Sequence, residues 1–108
     1  MAEITFDRTP RFQELTEWLQ QLASEYSDLV DLDVLGRSYE GREVWIATVT
    51  NRANGPHHEK PAIWLDGNIH ASETTASVAL VHLLHTLCTG YGSDERITRA
   101  LDTRAFYI

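Results

Sequence analysis

His70 and Glu73 stand three positions apart, just beyond the apolar run Pro61-Ala62-Ile63-Trp64-Leu65. At a helix start that spacing carries both side chains to one face of the first turn. An imidazole nitrogen and a carboxylate oxygen aimed at one point suit zinc, and catalytic sites built from two His and one Glu keep a fourth position open for water. In open α/β sheets ligands bind outside the carboxyl ends of the strands, and Asp66 to Glu73 occupies such an end. With five histidines in the chain, some His-x-x-Glu arises by chance roughly one time in four. A turn at Asp66-Gly67-Asn68, followed by a carboxylate that suits a helix N-terminus, accounts for the same residues. Spacing and location leave these two readings even.

A metal reading needs a third ligand, and the remaining histidines do not supply it. His82 lies nine residues past Glu73, which along a continuous helix is more than ~13 Å. His57 and His58 precede the strand that His70 follows, which puts them near its other end, roughly 20 to 30 Å away. The chain is therefore not expected to close a catalytic zinc site alone. His82 and His85 read as packing or a dipole contact near a helix C-terminus, His57-His58 as solvated loop, and Trp18, Trp45 and Trp64 as core. Asp66 and Asn68 share strand parity with His70 and could orient it, but a turn role is preferred for both.

The elements that must hold the pair follow from periodicity. Phe12, Leu15, Trp18, Leu19, Leu22, Ala23 and Tyr26 fall on one face of a helix from Arg11 to Tyr26, with Thr9 as N-cap and Pro10 at the first position. Val30, Leu32 and Val34 alternate with Asp31 and Asp33, a strand wet on one face and near a sheet edge, ended by Gly36. Arg37 to Arg42 is a turn, and Val44 to Val49 is the second arm of a hairpin. Asn51 to Glu59 is a surface loop, whereas Pro61 to Leu65, lacking alternation, reads as a strand buried on both faces.

Thr74 to Cys88 has no fully polar face and should be a helix packed on the sheet, stopped by Gly90 and Gly92. Ser93 can cap a short helix through Leu101, and Arg104 to Ile108 reads as a further strand. Strand, helices, strand is a crossover joining a parallel pair. The expected fold class is α/β: a mixed sheet with helices on its faces, in three αβα layers.

The 108 residues are enough for one domain and too few for two. A formal net charge of -7, with no basic patch, disfavours nucleic acid and anionic membrane as partners. No stretch is long enough to span a bilayer, and Met1 to Asp7 lacks the pattern of a signal peptide, so a cytoplasmic location is expected if Met1 is the native start. The single Cys88 excludes an intrachain disulfide and reads as a buried thiol. Ile108 falls inside or at the end of a strand, which leads us to expect a product truncated at its C-terminal end, with unpaired strand edges through which it self-associates.

Two segments carry a resemblance: Leu35-Gly36-Arg37-Ser38-Tyr39-Glu40-Gly41-Arg42 and Lys60-Pro61-Ala62-Ile63-Trp64-Leu65-Asp66-Gly67-Asn68-Ile69-His70-Ala71-Ser72-Glu73. Together they resemble the zinc carboxypeptidases, the family that includes carboxypeptidases A and B, and the order of elements matches over nearly the whole chain. The resemblance implies that residues 1–108 are the N-terminal part of one catalytic domain. It also implies Zn2+ held by His70, Glu73 and a later His, with a later Glu as general base on metal-activated water. The implied substrate is a peptide or protein C-terminus. Groups that clamp the terminal carboxylate in the family fall after Ile108, so this chain is expected to contain no catalytic residue and to be inactive by itself. Digestive members carry Arg before the ligand Glu where this chain has Ser72, which leaves the substrate side-chain preference open.

Two other functions are weighed beside it. Aspartoacylase-like zinc amidohydrolases, which cleave small N-acyl amino acids, also place His-x-x-Glu after a strand, but usually with Gly after the His, where Ala71 stands here. The other is a non-catalytic α/β domain whose complete protein lacks the remaining ligands.

Overall fold

The hairpin and the crossover share one sheet. The computed structural model describes residues 4–70 and 72–108. In chain order they form α1 (Phe12–Glu25), β1 (Val30–Arg37), β2 (Glu43–Val49), β3 (Ala62–Trp64), α2 (Thr74–Gly90), α3 (Glu95–Thr103) and β4 (Ala105–Tyr107). Single 3-10 turns at Arg52–Asn54 and His57–Glu59 interrupt the loop before β3.

The sheet runs β1-β2-β4-β3. β1 and β2 are antiparallel, β2 and β4 antiparallel, and β3 and β4 parallel, so the expected mixed sheet is present. The last strand is the one that joins hairpin to crossover. On one side Ala47 and Ile108 exchange hydrogen bonds of 2.8 and 2.9 Å; on the other, Leu65 N–H donates to Tyr107 O at 2.8 Å and Ala105 N–H to Pro61 O at 3.0 Å.

Register places Val30 and Leu32 opposite Val49 and Ala47, and Phe106 opposite Val49, so these share one face of the sheet. All three helices contribute to the core on that face: Leu22 from α1, Leu84, Leu87 and Cys88 from α2 and Leu101 from α3 cluster with Val30, Ala47 and Val49. Burying these apolar stripes against one another is the main stabilising term for such a layer. Trp18 is buried as expected, and Trp45 is half-buried with its Nε1–H donating to Thr16 Oγ1 of α1 at 3.1 Å.

β3 departs from expectation. Its three residues are exposed, with Ile63 at 49% and Trp64 at 53%, and Trp64 is not core. The strand lies at the sheet edge. A run without alternation announces that both faces are apolar; it does not say which neighbours cover them.

Boundaries of four elements also moved. Arg11, extended at ψ 166°, is the N-cap of α1 and makes no side-chain cap, so Thr9 and Pro10 lie outside the helix. Arg8 instead reaches forward to the Glu14 carboxylate in the first turn. β1 continues through Gly36 to Arg37, because a register shift between Val34 and Gly36 absorbs the extra residue and lets Arg37 pair with Glu43. α2 runs on to Gly90. α3 is capped by Asp94, not Ser93, and extends to Thr103; Asp94 Oδ1 accepts from the N–H groups of Arg96 and Ile97 at 2.9 and 3.2 Å. A carboxylate there adds charge complementarity to the hydrogen bonds.

At the sheet end remote from His70 a set of polar contacts ties loop, α2 and α3 together. Buried Thr50 has its hydroxyl 3.0 Å from Leu101 O and 2.8 Å from Arg104 O, and it accepts from Lys60 Nζ at 2.8 Å. Asn51 Nδ2 donates to Tyr91 Oη at 3.0 Å and to Asp102 Oδ1 at 2.8 Å. Periodicity carries no trace of these long-range pairs.

Candidate metal centre

β3 delivers the chain to the irregular segment Asp66-Gly67-Asn68. Asn68 has φ 64°, in the left-handed region that Asn tolerates better than most residues. Asp66 Oδ2 accepts from Trp64 Nε1–H at 2.8 Å, so its carboxylate is turned to the strand. Residues 66–68 are irregular chain, with bends only at Ile69 and His70, so the expected turn is not assigned there.

His70 and Glu73 do come together, but not on a helical turn. α2 begins at Thr74, with Glu73 as its N-cap and His70 in the turn before it. That turn is closed by Glu73 N–H donating to His70 O at 3.0 Å. The Glu73 carboxylate folds back: Oε2 lies 2.9 Å from His70 Nδ1, and Oε1 accepts from the His70 backbone N–H at 3.3 Å. The two side chains are 76% and 49% exposed, so neither donor is blocked by packing. A carboxylate in this place also faces the positive end of the α2 dipole.

The donor set fits one half of a zinc shell. Nδ1 is the ring nitrogen on the Glu73 side, and the carboxylate offers oxygen. Two donors about 2.1 Å from one tetrahedral ion stand about 3.4 Å apart, so exchanging the present contact for a shared ion asks for a separation about 0.5 Å larger. Among the described residues no group of three or more His, Cys, Asp or Glu could hold a metal.

The other histidines are engaged elsewhere. Phe6 packs edge-on against His82 and His85, with ring centroids 4.8 and 5.7 Å apart. This agrees with the packing reading. His57 is not simply solvated: its Nδ1 lies 2.8 Å from Tyr107 Oη, and the two rings meet edge to face. Beside the exit of β3, an apolar cavity of about 330 Å³ opens between α1, α2 and the sheet, lined among others by Leu15, Trp45, Gly67 and Leu80.

The profile of the family described as zinc carboxypeptidase matches residues 15–108. The chain belongs to the zinc carboxypeptidase family. Human carboxypeptidase B is 26% identical over 104 residues, which cover 96% of this chain and 24% of that protein. The inactive metallocarboxypeptidase ECM14 of Uncinocarpus reesii is 33% identical over 91 residues, covering 82% of the chain and 16% of that protein. Among solved structures, thrombin activatable fibrinolysis inhibitor superposes with a TM-score of 0.84 at 24% identity over 95% of this chain and 25% of its own. Carboxypeptidase A of Helicoverpa armigera gives 0.82 at 21% identity, over 98% of this chain and 25% of its own.

These likenesses establish the zinc carboxypeptidase fold for the mixed sheet and its helices. The chain spans about a quarter or less of the length of these curated relatives, 24% of human carboxypeptidase B and 16% of the Uncinocarpus reesii protein. Zinc carboxypeptidases as a family are zinc-dependent, which is the general setting for the His70–Glu73 pair. Short spacing marks the pair in the sequence, whereas nothing there marks Gly67 and Ala76, which bring the strand exit against α2. No periodicity signals a contact of that kind.

Proposed function

We propose that the protein carrying this chain is a zinc-dependent metallocarboxypeptidase that releases C-terminal amino acids from peptides, with His70 and Glu73 as two zinc ligands. The observation that carries the reading is the 2.9 Å approach of His70 Nδ1 to Glu73 Oε2 at the exit of β3, within a chain of the zinc carboxypeptidase family. Residues 1–108 are then the N-terminal part of one catalytic domain.

A zinc ion held there supplies a Lewis acid to a scissile carbonyl and acidifies water. The work of this chain is to hold one imidazole and one carboxylate in register. β3 and the left-handed Asn68 lead the chain into His70; the Ala76 N–H bond to Glu73 O ties Glu73 to the start of α2. A third ligand and a general base come from elsewhere in the protein, so the 108 residues alone hydrolyse no peptide and give up zinc readily to a chelator.

Changing His70→Ala in the full-length protein removes zinc and activity together; retained cleavage of a peptide with a free C-terminus overturns the reading. A second reading is favoured by the relative named inactive: the parent keeps the fold without catalysis. It predicts a full-length sequence that lacks a later His and Glu able to reach the pair. The substrate is a peptide or protein C-terminus, and the family match does not favour the small N-acyl amino acids of the amidohydrolase alternative.

A further inference from the structure

We infer that Gly67 is a positioning residue that sets the spacing between the two halves of the metal pair, an inference that rests on the reading of His70 and Glu73 as zinc ligands. A β-carbon built at Gly67 would lie 2.9 Å from Ala76 Cβ, 2.9 Å from Leu80 Cδ1 and 3.2 Å from the Ala76 carbonyl carbon. Ordinary carbon contacts are about 3.5 to 4.0 Å. The tip of Leu80 can rotate away, but Ala76 belongs to the helix backbone.

Glycine is not needed here for its dihedral freedom, because Gly67 is not among the positive-φ glycines and the left-handed position is taken by Asn68. The constraint is close approach alone. Gly90 differs, since the atoms nearest a β-carbon there all belong to the side chain of Ile97.

The consequence reaches the pair through short, stiff connections. Ala76 N–H donates to Glu73 O at 3.1 Å, so the residue that Gly67 touches is tied to the same turn that holds Glu73. His70 follows Gly67 by three positions. A methyl group at Gly67 pushes the strand exit off α2 and carries His70 away from Glu73. Metal and catalytic constellations tolerate displacements of only about 0.5 Å.

The test uses the full-length protein with Gly67→Ala, Ala76→Gly, the double variant and His70→Ala. Zinc affinity is read by competition with a chromophoric chelator, and folding by circular dichroism and thermal melting. Gly67→Ala is expected to keep its secondary structure and weaken zinc on the order of 10- to 100-fold, the range seen when supports of metal ligands are changed. Ala76→Gly alone leaves affinity near the parent's, and the double variant recovers part of the loss, because the Cβ to Cβ collision is gone while the 3.2 Å approach to the Ala76 carbonyl carbon remains.

A folded Gly67→Ala protein with unchanged zinc affinity, or a loss that Ala76→Gly does not relieve, overturns the inference. Should Gly67→Ala fail to fold, Ala76→Val crowds the same gap from the helix side and must weaken zinc in its place; unchanged affinity there also overturns it. His70→Ala separates the two levels. If it retains zinc, the ligand reading itself has failed; if it loses zinc while Gly67→Ala does not, only the spacer role falls.

Discussion

The hydroxyl of Tyr91 donates to Oδ1 of Asp102 across 2.6 Å, fastening the residue after α2 to the last turn of α3. Hydrogen bonds from Tyr91 first and Asn51 second, with the positive charge of Lys60 adding a smaller pull, hold the Asp102 carboxyl below the usual aspartate range. The same bond to Asp102, helped by desolvation, raises the Tyr91 phenol.

The two shifts set two pH windows. A depressed Asp102 contributes stability that is fully present above its unfolded pKa of about 3.9 and is lost as pH falls through the lower folded value. A raised Tyr91 contributes stability present below its unfolded pKa of about 10 and lost as pH rises through the higher folded value. Denaturant melts as a function of pH should show both slopes. Asp102→Asn is expected to flatten the acid slope and Tyr91→Phe the alkaline one; unaltered slopes in both variants would show that the bond does not couple to folding.

Leu84 is fully buried where α2 meets the sheet and belongs to the cluster shared by all three helices. Leu84→Ala is expected to cost about 2 to 5 kcal/mol, from lost transfer energy plus the cavity left behind. Exposed Leu35, 57% accessible on the hairpin, serves as the contrast. Urea unfolding of Leu35→Ala should move little; comparable losses for both variants would contradict the placement of the core.

Cys88 is 2% exposed in that cluster, and burial pushes its thiol up to about 12. The thiolate is the reactive species. A disulfide reagent at pH 8 should therefore leave the native protein almost unmodified and react fully once denaturant is added. Rapid modification of the folded protein would place Cys88 outside the core.

Both sheet edges carry exposed apolar residues, Leu35 on β1 and Ile63 and Trp64 on β3, but only β1 also presents exposed charges, Asp31 and Asp33, the usual guard against strand pairing. If the 108-residue chain self-associates, we propose β3 as its route. Sedimentation should show association reduced by Ile63→Lys and little changed by Val34→Lys. The reverse order would move the sticky edge to β1.

Much of this was legible beforehand, for reasons particular residues make plain. Val30, Leu32, Asp31 and Asp33 announce a half-wet strand because side chains alternate across a sheet. The apolar run from Ala76 to Leu87 announces a packed helix, and the return to Ala105-Phe106-Tyr107 announces a parallel partner for β3. Caps were less legible. Thr9 and Ser93 are good cap residues, yet the helices start after Arg11, which makes no side-chain cap, and after Asp94, whose carboxylate caps α3.

The amino-acid sequence alone determined the order of elements and the nearness of His70 to Glu73, because periodicity and short spacing are local properties of a chain. Tertiary structure alone decided that a turn closed by Glu73 N–H, not a helical face, unites the pair, and that β3 lies exposed at an edge. It also decided that Gly67 abuts Ala76 and that Tyr91, Asn51 and Asp102 converge. Those contacts join residues brought together only when α2 and α3 pack on the sheet, and no local pattern of residue types encodes which of many possible partners will meet.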